Sequence, residues 1–177
     1  MFEKILVATD GSDHAGRAVK VAGDLAARYN SQLEVVHVTR AWTSMLDIRD
    51  RVAKGKFPDE VLSEIRNLQH LLKQSQRSPI ARQWDAYIPA PEAAIQVISQ
   101  EILSEAVKEA EAHGAKSVES KVLRGDAAEE LVDYVRRDGF DLIVMGTRGL
   151  SGMKEIMLGS VSQKVLHAAA CPCLTVK

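Results

Sequence analysis

Apolar positions along the chain come in two patterns: short unbroken runs, and longer stretches where they recur every three or four residues. Lys4-Ile5-Leu6-Val7-Ala8-Thr9 is an unbroken run and predicts a strand buried on both faces. It stops at Asp10-Gly11-Ser12, a turn cluster whose Ser12 is suited to cap a helix. Ala15, Ala18, Val19, Ala22, Leu25 and Ala26 then follow at helical spacing, and Asn30 offers a left-handed stop. Leu33 to Val38 predicts the second strand, with His37 inside it as a satisfied core or pocket-edge residue rather than a base.

The same alternation returns in the second half of the chain. A strand over Ser117 to Leu123 leads into Arg124-Gly125-Asp126, where Asp126 and Glu129 have capping-box spacing. Leu131, Val132 and Val135 give the following helix its inner face, and Gly139 ends it. Asp141 to Met145 is the most strand-like run and breaks at Gly146; a final helix begins near Ser160, and Pro172 to Val176 closes as a strand. Strands alternating with helices of this length imply βαβ units and a parallel sheet covered on both sides. Right-handed crossovers restrict such a chain to a doubly wound α/β sandwich.

Residues 41–90 exceed the short connections of that plan. Val61, Leu62, Ile65, Leu68, Leu71 and Leu72 mark an amphipathic helix there, and Ser75 to Pro91, with Pro79 and Pro89, reads as irregular. Pro91 opens a helix carrying Ala94, Ile95, Ile98, Ile102, Ala106 and Ala110 on one face, with Gly114 past its end. Residues 1–177 are accordingly read as one domain with an insertion at 41–90, either a lid, a partner surface or a surface excursion.

Composition narrows the classes of function. Apolar residues make up 46% and charged residues 27% of the 177 residues, and the formal net charge is −1. No global field recruits nucleic acid or an anionic membrane, and the few aromatic residues do not alternate with basic ones. The N-terminus has no basic stretch before a long apolar run, and no apolar run approaches the ~20 residues of a membrane span. Cys171 and Cys173 read as two small buried apolar side chains, not a disulfide or metal site, which fits a cytoplasmic setting.

Chemistry concentrates in Gly146 to Ser160. Gly146-Thr147-Arg148-Gly149 follows a buried strand, and Gly159-Ser160 opens the last helix. Glycines there let backbone amides approach a ligand, and a helix N-terminus adds free N–H groups and the positive end of the dipole. The segment is not a Walker A loop, because Gly152 is followed by Met153-Lys154-Glu155. Nor is it a dinucleotide fingerprint, since the first strand leads only into Asp10-Gly11-Ser12. Plainer roles are also open: Ser160 with Gln163 forms a capping-box pattern, Asp10 is a good turn residue, Arg148 suits a solvated loop, and Arg124-Gly125-Asp126 reads as a turn and cap.

The spacing Gly146, Gly149, Gly159, Ser160 resembles the G-x2-G-x9-G-[ST] pattern of the ATP-binding universal stress proteins. The likeness extends to Ile5 through Ser12, to Val36-His37-Val38, to Gly159-Ser160-Val161-Ser162 and to Cys171-Pro172-Cys173-Leu174, covering about 1–40 and 91–177. It implies a five-stranded parallel sheet of order 3-2-1-4-5 of the adenine nucleotide alpha-hydrolase-like type, with ATP and Mg2+ as ligand. It further implies that Thr9 and Asp10 meet ribose or the phosphate–metal region, with Asp10 a possible metal contact, and that Val38 faces adenine and Gly125 the ribose. Met145, Gly146, Arg148, Gly149, Gly159, Ser160, Val161 and Ser162 would complete the nucleotide site. The family also implies a homodimer through the last strand.

No catalytic constellation stands out among the five histidines and their neighbours. The readings are a nucleotide-dependent regulatory module, a slow ATP-hydrolysing enzyme drawing Asp85 or Glu92 from the inserted region, or a nucleotide-free dimeric scaffold.

Overall fold

A computed structural model of the chain describes residues 2–40, 92–149 and 158–177, together with Asp59, Leu62, Ser63, Arg66, Asn67 and His70, which are helical. The other residues of the expected amphipathic helix (Val61, Ile65, Leu68, Leu71 and Leu72) lie outside the described residues, as do Ser75 to Pro91 and Asp85. The chain divides into two compact units, one made of 1–40 with 102–177 and the other of 41–101.

The first unit carries β1 (Lys4–Ala8), α1 (Asp13–Tyr29), β2 (Gln32–Thr39), the C-terminal half of α2 (Glu92–Ala112), β3 (Ser117–Arg124), α3 (Ala127–Asp138), β4 (Leu142–Gly146), α4 (Ser160–Ala168) and β5 (Cys173–Val176). All strand pairs are parallel, and the order across the five-stranded sheet is β3-β2-β1-β4-β5, as the resemblance implies. Register is set by side chains alternating between two apolar layers. Ile5, Val7, Leu33, Val35, Leu142 and Val144 join Ala18, Val19, Ala22 and Ala26 of α1 and Leu103, Ala106 and Ala110 of α2 on one face. Leu6, Val36, Ile143 and Met145 join Ala128, Leu131, Val132 and Val135 of α3 and Val165 of α4 on the other.

Helix ends follow from named side chains. Ser12 caps α1, its Oγ accepting the Ala15 N–H at 3.3 Å, and Asn30 ends that helix at φ 55°, ψ 42°. Asp126 caps α3 by accepting the amides of Ala128 and Glu129 at 3.1 and 3.2 Å, and Gly139 takes the left-handed C-cap. Arg124-Gly125-Asp126 is therefore a strand end and a helix cap. The last helix departs from the capping-box alternative: its N-cap is Gly159, and among the described residues no side-chain hydrogen bond caps it. The reason is tertiary. The Gly159 N–H donates to the Thr147 carbonyl at 2.7 Å and its carbonyl accepts from Gln163, which starts the helix one residue earlier than a Ser160 cap would.

A buried polar contact interrupts the second layer. Glu34, only 7% exposed, accepts a 2.5 Å hydrogen bond from the Tyr134 hydroxyl, and Lys121 Nζ donates to the same hydroxyl at 3.0 Å. Burial, then the bond to Glu34, pushes the Tyr134 phenol far above its ordinary value. This braces α3 against β2 and β3 on the flank of the sheet.

Candidate functional site

β1 and β4 lie side by side, with β2 beyond one and β5 beyond the other, so chain order reverses between them. In open α/β sheets the crevice outside the strand ends at such a point is where ligands bind. Among the described residues, what lines it is the turn after β1, residues 147–149 after β4 and the start of α4.

The β1 turn is fixed by its own groups. The Thr9 N–H donates to the Val36 carbonyl at 2.9 Å, the Gly11 N–H to Thr9 Oγ1 at 3.2 Å, and the Ser12 N–H to Asp10 Oδ1 at 3.0 Å. Asp10 thus does serve as a turn residue, yet its second carboxylate oxygen lies against Gly149, so close that a Cβ at Gly149 would collide with it. Asp10 and Gly149, 139 residues apart in number, are brought together across the reversal point.

Gly146 is buried at the end of β4, packed on the first turn of α1. A Cβ there would stand 2.9 Å from the Ala15 nitrogen and the His14 carbonyl carbon. Gly159 passes close to the preceding loop, where a Cβ would lie 3.3 Å from the Thr147 oxygen and 3.5 Å from Arg148 Cα. The positive-φ glycines among the described residues are Gly11, Gly114, Gly125 and Gly139. The three motif glycines therefore supply space for close approach rather than left-handed backbone.

The remaining expected residues fall around this frame. Ser162 is buried, and its hydroxyl donates to the Gly146 carbonyl at 2.9 Å, holding α4 to the end of β4. Ser160 and Val161 are exposed in the first turn of α4, whose leading amides meet no side-chain cap among the described residues. Arg148 is half-buried, and its carbonyl accepts from Ser12 Oγ at 3.5 Å. Met145 is buried in the second layer and Val38 packs on the same layer from β2. Gly125 donates its N–H to the Thr39 carbonyl at 2.9 Å, so it sits just past β3, beside the last residue of β2, at the same end of the sheet.

Sequence reasoning missed two contacts that organise the site. His14 Nδ1 lies 3.1 Å from Thr147 Oγ1, tying α1 to the loop after β4. His37 Nδ1 lies 2.8 Å from the Thr9 carbonyl. His37, within β2, is buried and bonded as a satisfied core residue is expected to be, but its partner was not legible; nothing in the sequence points to His14. Glu92 stands exposed in the first turn of α2. Among the described residues no group of three or more His, Cys, Asp or Glu is placed to hold a metal ion. Cys171 and Cys173 are free thiols at the β5 edge of the second layer, and burial pushes both up.

The model of the universal stress protein family matches residues 1–177. The chain belongs to that family. It is 31% identical over 177 residues to universal stress protein YxiE of Bacillus subtilis, covering 100% of both chains. It is also 31% identical over 180 residues to universal stress protein MJ0531 of Methanocaldococcus jannaschii, covering 100% of this chain and 83% of the relative. A solved universal stress protein in complex with cAMP superimposes with a TM-score of 0.62 at 26% identity, over 99% of this chain and 97% of the other.

Proposed function

We propose that this universal stress protein binds an adenine nucleotide, ATP with Mg2+, in the crevice beyond β1 and β4, and acts as a nucleotide-dependent stress-response module. The observation that carries the reading is the convergence of Asp10, Gly149 and the first turn of α4 at the reversal point. The amides of Ser160, Val161 and Ser162 at a helix N-terminus suit phosphate oxygens, and the absent side chains at Gly149 and Gly159 leave the approach clear. Asp10 is the acidic group at this turn to meet ribose or a phosphate-bound Mg2+. Val38 and Gly125, at the same end of β2 and β3, would receive adenine and ribose. The cAMP-bound relative supports an adenine nucleotide as the ligand class.

Binding rather than turnover is the activity proposed, because the groups the crevice gathers are suited to hold phosphates. Titration calorimetry with ATP, AMP and cAMP, each with Mg2+, followed by product analysis, tests both halves. Absence of binding at millimolar nucleotide would sink the reading; rapid release of ADP would replace the module with an ATPase.

Assembly belongs to the same proposal. Among the described residues β5 has a neighbour only in β4, so the backbone of its outer edge suits pairing with a second copy. Sedimentation showing a monomer at high concentration would remove the homodimer. The free thiols fit a cytoplasmic setting. Residues 41–90, within the second compact unit, are proposed as a lid or partner surface. Their deletion would change nucleotide affinity or partner capture while leaving the sheet folded.

A further inference from the structure

Asp10 is carried by a turn, not by a strand: β1 ends at Ala8, and Asp10 follows beyond Thr9. The direction of its side chain depends on the peptide group joining Thr9 to Asp10. That group is planar, so fixing its carbonyl oxygen fixes the rotation of the whole unit, including the bond to the Asp10 Cα. The oxygen is held by His37, whose Nδ1 stands 2.8 Å away. A carbonyl only accepts, so Nδ1 carries the hydrogen.

His37 is an expensive way to fill its place. It is 1% exposed, in a strand whose neighbours are Val35, Val36 and Val38, and an apolar side chain would pack there without desolvating a ring. What it adds over valine or leucine is a donor reaching from β2 to the end of β1, 28 residues back in sequence. The turn so held is the one that presents Asp10 to Gly149.

We propose that His37 is a positioning residue for the nucleotide site: its buried Nδ1–H, held on the Thr9 carbonyl, sets the Asp10 turn in its binding geometry. The inference rests on the reading of that site given above. It separates from a plain core role because it depends on where the donor sits, not on bulk or polarity. Asparagine carries an amide nitrogen at the position of Nδ1. Glutamine carries one nearer to where Nε2 lies, and leucine carries none.

The full chain is titrated with ATP and Mg2+ by calorimetry as wild type, His37→Asn, His37→Gln and His37→Leu, with urea unfolding run alongside. All three variants lose stability. Affinity follows the donor instead: His37→Asn stays within about threefold of wild type, while His37→Gln and His37→Leu weaken by about tenfold, the scale of one lost hydrogen bond. Equal affinity in His37→Asn and His37→Gln overturns the proposal, and the comparison survives a His37→Leu that fails to fold. If the wild type binds no adenine nucleotide, the functional reading falls and amide hydrogen exchange at Gly11 and Ser12 decides the rest. Protection kept in His37→Asn and lost in His37→Gln supports a held turn; equal protection in the two overturns it.

Discussion

Replacing Gly146 by alanine sets a methyl group into the first turn of α1, whereas among the described residues the same change at Gly149 meets a carboxylate. The new Cβ at 146 would lie 2.9 Å from the Ala15 nitrogen, 2.9 Å from the His14 carbonyl carbon and 3.0 Å from His14 Cβ. None of these is the free end of a flexible side chain, so the strand and helix must separate. Overpacking of this kind costs about 1–3 kcal/mol, offset by the ~0.4–1 kcal/mol that alanine gains over glycine by restricting the unfolded chain. The expected net loss is about 1–2 kcal/mol, read as a lower urea midpoint with an unchanged slope. At Gly149 the obstacle is Asp10 Oδ2, and the carboxylate can swing away at the expense of the bond that its other oxygen, Oδ1, accepts from the Ser12 N–H, about 1 kcal/mol before the same alanine gain is returned. Gly149→Ala should therefore unfold within about 0.5 kcal/mol of wild type, yet bind ATP with Mg2+ about tenfold more weakly because Asp10 has turned. A Gly146→Ala protein as stable as wild type would refute the packing argument. A Gly149→Ala protein with unchanged affinity would remove Asp10 from the site.

Two glycines of α1 make a second pair: Gly16 has open space around its missing Cβ, whereas at Gly23 a Cβ would lie 2.7 Å from the Ala110 oxygen. Gly16→Ala should stabilise the protein by about 0.5–1 kcal/mol and Gly23→Ala should destabilise it, as urea midpoints will read. Tyr134→Phe leaves buried Glu34 without its hydroxyl donor and should cost about 1–3 kcal/mol at neutral pH. Because the folded pKa of Tyr134 is raised, its contribution is fully present below the unfolded value near 10 and is lost as pH climbs beyond it, so wild-type stability should fall more steeply above pH ~10 than that of Tyr134→Phe. Asp141 has the opposite sign: the backbone amides of Lys4 and Glu3 hold its carboxyl below the ordinary value. Its contribution is present above the unfolded pKa of ~3.9 and lost as pH falls through the folded one, so Asp141→Asn should flatten the acid limb of the stability profile.

What could be read from the chain is what depends on near neighbours. Ile5 to Ala8 and Leu142 to Met145 announce buried strands because parallel strands need apolar residues on both faces. Ser12, Asn30, Asp126 and Gly139 announce helix ends because caps act over two to four residues. The glycine spacing was legible for the same reason, but its physical division was not. Gly146 makes room for α1, Gly149 for Asp10 and Gly159 for the Thr147 loop, and each neighbour is known only once the sheet has formed. The Ser160 capping box failed on the same ground. Locally Ser160 and Gln163 satisfy the pattern, but the bond from Gly159 to Thr147, across a loop, decides where the helix begins. The contacts Tyr134–Glu34, Thr147–His14 and His37–Thr9 span 100, 133 and 28 residues and left no periodic trace. Two of those three bonds converge on the Asp10–Gly149 crevice. A pattern match therefore finds the glycines that a ligand would approach, while the groups that hold them in place become visible only in the fold.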